Sequence, residues 1–377
     1  MDIFWMEFYK IGSKRLVYLG LLGSLLFFAF YFLVGPVASE MVYVDGQCYR
    51  GMEGIRKNQE LSKEFSGPLT LQMAEDIIAR YGFTKNIDEL RREEELGAVP
   101  STYNENFCNR FVTERLSNRR FGGEEPYHLG TEEPVLMTLL DGNLTFGYGE
   151  AWGESFREMM MMVMLVAAIL SIISAAPVFS EEYSLRTADL VLSTEKGREG
   201  GAAAKILAAF AFSALIYIAM SAVIFLAFAS VYGVEGLAVS AELALPDQYY
   251  MGGGSAGSQG VLLGRYLAAG LAANWAAVAV TLWISARSRQ SFTALIWSIV
   301  AYLMPLFFYF IVLSMMQMSA AVMRVMRYLP VLLPNNEIMR MPESYRVKGY
   351  LLLLVITAAS LAAGLRRYRG YQAGGNH

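Results

Sequence analysis

The sequence predicts an all-α polytopic membrane protein with six transmembrane helices, an amino-terminal interfacial helix and a mostly helical extracellular domain. Hydrophobic residues make up 55% of the 377 positions and charged residues only 17%, with a mean hydropathy of +0.36, outside the range of soluble domains. Six segments approach the roughly 20 apolar residues that a helix needs to cross hydrocarbon, where the backbone must satisfy its own hydrogen bonds. Lys and Arg are unevenly divided between the connections, which orients the spans.

Residues 1–15 carry Ile3, Phe4, Met6, Phe8 and Ile11, with Lys10, Lys14 and Arg15 at the far end. This pattern fits a helix lying in the inner membrane interface; the alternative is a disordered tail. Residues 16–34 form the first span, since the apolar run exceeds the roughly 7–15 residues of a cleaved secretory signal. Residues 35–158 are polar and long enough for a small extracellular domain. Within it "NQELSKEF", "TLQMAEDIIARYGF", "NIDELRREEELG" and "STYNENFCNRFVTERLSNRR" read as amphipathic helices, the second started by Pro68 and Thr70 and ended by Gly82. Asp141-Gly142 between apolar runs predicts a hairpin.

The remaining spans are 159–179, 206–232, 261–284, 292–316 and 350–365. Connections 180–205 and 285–291, with the tail 366–377, are expected in the cytoplasm; 233–260 is extracellular, and 317–349 is extracellular or dips into the membrane. Counting short connections and both termini, the cytoplasmic side holds twelve Lys and Arg, from Lys10 to Arg369, against five on the other side: Arg324, Arg327, Arg340, Arg346 and Lys348. Both termini are therefore expected in the cytoplasm.

Catalytic signatures fail on spacing. "TEKGREGGAAAK" ends in a lysine, yet Ala204 precedes Lys205 and Ile206 follows it, where a phosphate-binding loop needs Gly and then Ser or Thr. Gly252, Gly254 and Gly257 match a dinucleotide fingerprint on paper but lead into a span, so a flexible linker is the better reading. His128 and His377 are the only histidines, and no metal or catalytic cluster is expected. A net charge of −3 gives no reason to expect nucleic acid as a partner. Cys48 and Cys108 both fall in the extracellular domain, as a disulfide stabilising it by roughly 4 kcal/mol or as two free thiols.

In the connection 180–205, Tyr183, Thr187, Leu190, Val191 and Thr194 share a helical face, while Glu181, Glu182, Arg186, Asp189 and Glu195 decorate other sides. Gly197 is placed to end that helix and Gly200-Gly201 to turn the chain, with Lys205 at the inner interface. The charged side is expected to face the cytoplasm and receive another protein. Within the membrane, Asn274 either faces a translocation path or hydrogen-bonds between helices. Met161 and Met164, in "REMMMMVM", are adaptable groups that could accommodate apolar substrates or simply enter the membrane.

The order of Pro177 and Phe179, Glu181-Glu182, Arg186-Thr187, the apolar "LVLST", Gly197-Arg198 and Lys205 resembles the permeases of ABC-2 type exporters. The layout of the whole chain is similar, including the amino-terminal helix and the domain between the first two spans, although the specific motif covers only about 30 residues. The resemblance implies that Glu181, Glu182, Tyr183, Arg186, Thr187, Leu190, Gly197 and Arg198 belong to a coupling helix docked on a separate ABC ATPase subunit. It implies ATP and Mg in that ATPase, with no cofactor in this chain. It further implies a second permease subunit, as a homodimer or heterodimer, surrounding membrane lipid, and a bacterial cytoplasmic membrane. The alternative is a receptor or immunity protein that binds a ligand outside without pumping.

Overall fold

The computed structural model describes residues 3–85, 103–193, 200–244, 257–315, 326, 328–333 and 343–370. Six helices are long and apolar enough to cross a membrane: Arg15–Val37, Glu150–Ser184, Ala202–Tyr232, Gln259–Arg287, Ser291–Tyr309 and Val347–Arg369, here spans 1 to 6. The chain is an all-α, multi-pass membrane protein. Span 6 begins as a longer helix, Glu343–Arg369, so the predicted 350–365 captured only its apolar centre.

Spans 2 and 4 are central, with 67% and 56% of their apolar windows buried, whereas spans 1, 5 and 6 bury only 17%, 11% and 17%. Their residues explain this placement. Ala167, Ala168 and Ala175 on span 2, with Ala269, Gly270, Ala273 and Ala277 on span 4, let backbones approach closely. A Cβ on Gly270 would stand 2.2 Å from the Tyr217 hydroxyl of span 3 and 3.0 Å from Met164 Cγ of span 2, so only glycine fits there.

The amino-terminal helix, Ile3–Gly12, packs on span 3, with the Phe8 ring 5.5 Å from that of Phe212. It buries Ile11 and exposes Trp5 and Tyr9. Of the segment expected outside or dipping into the membrane, Tyr328 and Leu333 pack with Ala273, Ala276 and Leu353. Ala273 lies about 21 Å along span 4 from Gln259, so this part of the segment reaches the depth of mid-span.

The domain inserted between spans 1 and 2 has its own core, built from Val42, Leu69, Ile77, Phe107, Val112, Leu116, Leu136 and Phe146. Helix Leu71–Tyr81 starts as predicted at Thr70, whose side chain accepts from the Met73 amide, and ends at Gly82 with φ 72°. Pro68 lies instead in a strand. Helix Phe107–Leu116 is opened by a reciprocal cap between Asn106 and Asn109. The helix read at "NIDELRREEELG" lies outside the described residues.

The predicted Asp141-Gly142 hairpin is corrected. Asp141–Phe146 is a single strand paired antiparallel with the distant Gly67–Thr70. The local hairpin is Met41–Val44 with Gln47–Arg50, turning at Asp45 (φ 49°) and Gly46 (φ 76°), both left-handed as a tight two-residue turn requires. Of the two alternatives for the cysteines, the structure has the free thiols, Cys48 exposed on the hairpin and Cys108 buried, its thiol pKa pushed up to about 12 by burial.

Gln59 Nε2 of the inserted domain donates to the Val231 carbonyl of span 3 (3.3 Å). Beneath it the span ends are tied together: Trp152 Nε1 of span 2 donates to the Gly233 carbonyl just past span 3 (3.1 Å), and Tyr232 of span 3 donates to the Pro36 carbonyl of span 1 (2.9 Å).

Candidate functional site at the joint between spans 2 and 3

Proline at 177 has no N–H, so the hydrogen-bond ladder of span 2 is interrupted at Ala176. A second helical piece, Pro177–Ser184, continues from there. Ser285 of span 4 repairs the break: its Oγ accepts from the amides of Phe179 and Ser180 (both 3.1 Å) and donates to the Ala176 carbonyl (2.6 Å). The break is thus pinned to the centre of the bundle.

The continuous helix predicted over Tyr183–Thr194 is corrected to two pieces. Thr187 N–H returns to the Glu182 carbonyl (3.0 Å) and Arg186 N–H to the Tyr183 carbonyl (3.2 Å), the paired pattern of a Schellman stop. Arg186 occupies the left-handed position at φ 55°, where glycine is usual. A separate short helix, Ala188–Ser193, follows. Gly197 and Arg198, with Thr194 and Glu195, lie outside the described residues.

The expectation of a solvated side is corrected for Glu182, while Glu181 is half-buried. Glu182 is buried; its carboxylate lies 2.8 Å from the Lys205 ammonium and accepts a 2.7 Å hydrogen bond from Tyr368 of span 6. Lys205, one turn inside the start of span 3, is buried as well, and its ammonium also meets Glu7 of the amino-terminal helix at 2.5 Å. Glu181 pairs with Lys10 (3.7 Å) and Lys14 (3.5 Å). Burial lowers the Lys14 ammonium's affinity for its proton, and Glu181 offsets part of that. Tyr183 packs its ring 6.4 Å from that of Tyr368.

Glu182 faces inward beside Phe179 and Tyr368, whose rings lie 4.6 Å apart, with Lys205 as its compensating charge, whereas Glu181 stays half-buried between Lys10 and Lys14. What remains outward is a small tip: Leu185 (64% exposed), Arg186, Thr187 and Leu190 (74% exposed). Leu192 and Ala188 hold it down on the other side. Among the described residues, two exposed leucines beside an arginine thus lie next to a buried ionic frame.

Glu7 and Tyr368 are the members that sequence reasoning missed. Glu7 could have been found, since it lies at helical spacing between Phe4 and Ile11, on the face that buries Ile11. Tyr368 follows two arginines at the end of the last span and gives no such signal.

The residues expected on a translocation path are packed inside the bundle. Asn274 is buried and donates to the Ser213 carbonyl of span 3 (3.2 Å), the interhelical bond that was its alternative. Met164 is buried against Gly270 and Met161 is half-buried.

At the opposite end of the spans, Arg110 is ion-paired with Glu150 beside a 380 Å³ cavity that Glu40, Glu154 and Glu158 also line. Burial, then the neighbouring Glu150, raises the Glu40 carboxyl above its ordinary range, while Arg110 and hydrogen bonds from Tyr148 and Asn58 draw it back. Among the described residues no group of three or more His, Cys, Asp or Glu is arranged to hold a metal ion. No family model matches the sequence, and no curated protein matches it.

Proposed function

We propose that this chain is the membrane-spanning subunit of an ATP-driven exporter, docked through Leu185, Arg186, Thr187 and Leu190 on a separate ATPase that supplies ATP and Mg. The observation that carries this reading is the pairing of an exposed apolar tip with a buried ionic frame at one end of spans 2 and 3. A tip that only bounded a loop would need no frame, because exposed polar turns are stable without buried charges.

On this reading the tip and both termini are cytoplasmic, as the Lys and Arg distribution predicts, and the inserted domain is outside. A second permease subunit would cover apolar flanks that spans 1 and 5 leave open, where lipid lies otherwise. The membrane is read as the cytoplasmic membrane of a bacterium on resemblance alone.

The test is affinity purification of the full chain from its native membranes, with ATPase activity measured on the eluate. The wild type should retain a nucleotide-hydrolysing partner, and Leu190→Asp should lose it while the chain stays folded, because Leu190 supports nothing inside the protein. Retention of the partner by Leu185→Asp and Leu190→Asp alike would reject the docking surface. Specific ligand binding by the inserted domain, with no ATPase in any eluate, would favour the receptor.

A further inference from the structure

Spans 4 and 6 run side by side to the end of the bundle that carries the tip: Ser285 of span 4 holds the Phe179 and Ser180 amides, and Tyr368 of span 6 donates to Glu182. A Cβ on Gly364 would stand 3.2 Å from Trp283 Cα, so the two backbones are in close contact there. Arg287 lies one turn beyond Trp283, about 6 Å along span 4, and Arg367 lies about 4.5 Å beyond Gly364 along span 6. Two touching helices thus bring their terminal arginines to nearly one level, with Arg366 and Arg369 on either side of Arg367 in the chain. All four arginines are exposed.

The glutamates at this end are taken up elsewhere, Glu7 and Glu182 by Lys205 and Glu181 by Lys10 and Lys14. Among the described residues none of the four arginines makes an ion pair. The Arg287 guanidinium is folded back over the Trp283 ring, 5.3 Å from its centroid, which holds it one turn inside the helix end. That is the depth at which tryptophan and lipid headgroups meet in a bilayer. Beneath Arg367, at steps of one turn along span 6, Ala363, Ala359, Val355 and Leu351 are all exposed and form an apolar stripe. Orientation of the spans needs only an excess of Lys and Arg in the connections; it does not require arginines to converge on one helix pair or to fold back towards the membrane.

We infer that these ends of spans 4 and 6 bind an anionic phospholipid, its phosphate held by Arg287 and Arg367 and an acyl chain laid along the stripe below Arg367. Guanidinium groups suit this task because their forked N–H donors match phosphate oxygens two at a time. A zwitterionic headgroup is disfavoured, because its own ammonium would enter a cluster of four cations with no acidic partner. A protein docking from the aqueous side would find Arg287 turned away from it, over Trp283. The site requires neither the tip nor an ATPase, so it stands independently of the exporter reading.

The test uses the purified full chain in vesicles of dioleoyl phosphatidylcholine containing rising fractions of phosphatidylglycerol brominated near the headgroup end of its chains. Bromine quenches tryptophan fluorescence at short range, and the difference between wild type and Trp283→Phe isolates Trp283. Saturable quenching is expected, with its midpoint at a lipid fraction at least about fivefold lower than for phosphatidylcholine brominated in the same way, the effect of one arginine near a bilayer surface. Arg287→Gln combined with Arg367→Gln should remove that preference, and both positions are exposed, so the fold stays intact. Arg56→Gln, an equal loss of charge on the inserted domain, should keep it. Equal quenching by the two brominated lipids, or a preference that survives the double variant, would overturn the site. Survival of the preference together with loss of a nucleotide-hydrolysing partner from native membranes would assign the arginines to that partner instead.

Discussion

Replacement of Lys205 by methionine isolates the ionic frame beneath the tip. The ammonium side chain is 2% exposed and lies 2.5 Å from Glu7 and 2.8 Å from Glu182, whose side chains are 17% and 7% exposed. Methionine fills a similar volume but strands two carboxylates, one fully buried. Removing one partner of a buried pair costs about 3–5 kcal/mol, most of it the penalty of an uncompensated charge. At 1.4 kcal/mol per tenfold, the unfolded fraction should rise by roughly 10²–10³ or somewhat more. Adding Glu182→Gln should restore most of the loss, because glutamine keeps an acceptor for Tyr368 and Glu7 can turn towards solvent. The assay is equilibrium unfolding in mixed micelles followed by circular dichroism. A Lys205→Met variant within about 1 kcal/mol of wild type, or a double variant no better than the single one, would refute the reasoning.

Ser285→Ala should destabilise the chain by about 1–3 kcal/mol, since it leaves the Phe179 and Ser180 amides without an acceptor; hydrogen exchange at those two amides should quicken. Arg186→Gly should stabilise by about 1 kcal/mol by removing a side chain from the left-handed region, while ATPase retention falls if the guanidinium meets the partner. Glu40 holds its proton more tightly in the folded state, so the folded chain is favoured below the ordinary carboxylate value of 4.5 and loses that advantage as pH rises to the raised value. Glu40→Gln should flatten this dependence in pH-stepped thermal unfolding, and an unchanged slope would assign it to another group.

The six spans were legible because each is an apolar run that only a helix can carry through hydrocarbon. The limits of span 2 were not, because Pro177 interrupts hydrogen bonds without ending the helix when Ser285 takes over as partner. That repair lies 105 and 106 residues away along the chain, beyond any local pattern. The two Asp-Gly turns illustrate the same limit. Both have hairpin chemistry, but Leu144 and Phe146 follow Asp141 into a pairing with Gly67–Thr70, whereas Asp45-Gly46 joins strands adjacent in sequence. At the site, periodicity put Glu182 on a solvated side, whereas the structure buries it. An acidic residue reads as exposed until a buried cation such as Lys205 is known to be opposite it.

The ionic frame lies on the helical piece that ends where the tip begins, and that geometry decides how a load would travel. Pro177–Ser184 is about 12 Å long, with the tip at one end and the Ala176–Pro177 break at the other. Along its length Glu182 is tied to span 3 through Lys205 and to span 6 through Tyr368, while Lys205 holds the amino-terminal helix through Glu7. A push on Leu190 that bent the piece internally would have to separate buried charges. Rotation about Ala176–Pro177 needs only an adjustment of the hydroxyl contacts of Ser285, each worth about 1 kcal/mol net. Under the exporter reading, the tip, the amino-terminal helix and the neighbouring ends of spans 3 and 6 therefore move as one block. The hinge is the proline joint rather than the Schellman turn beside the tip.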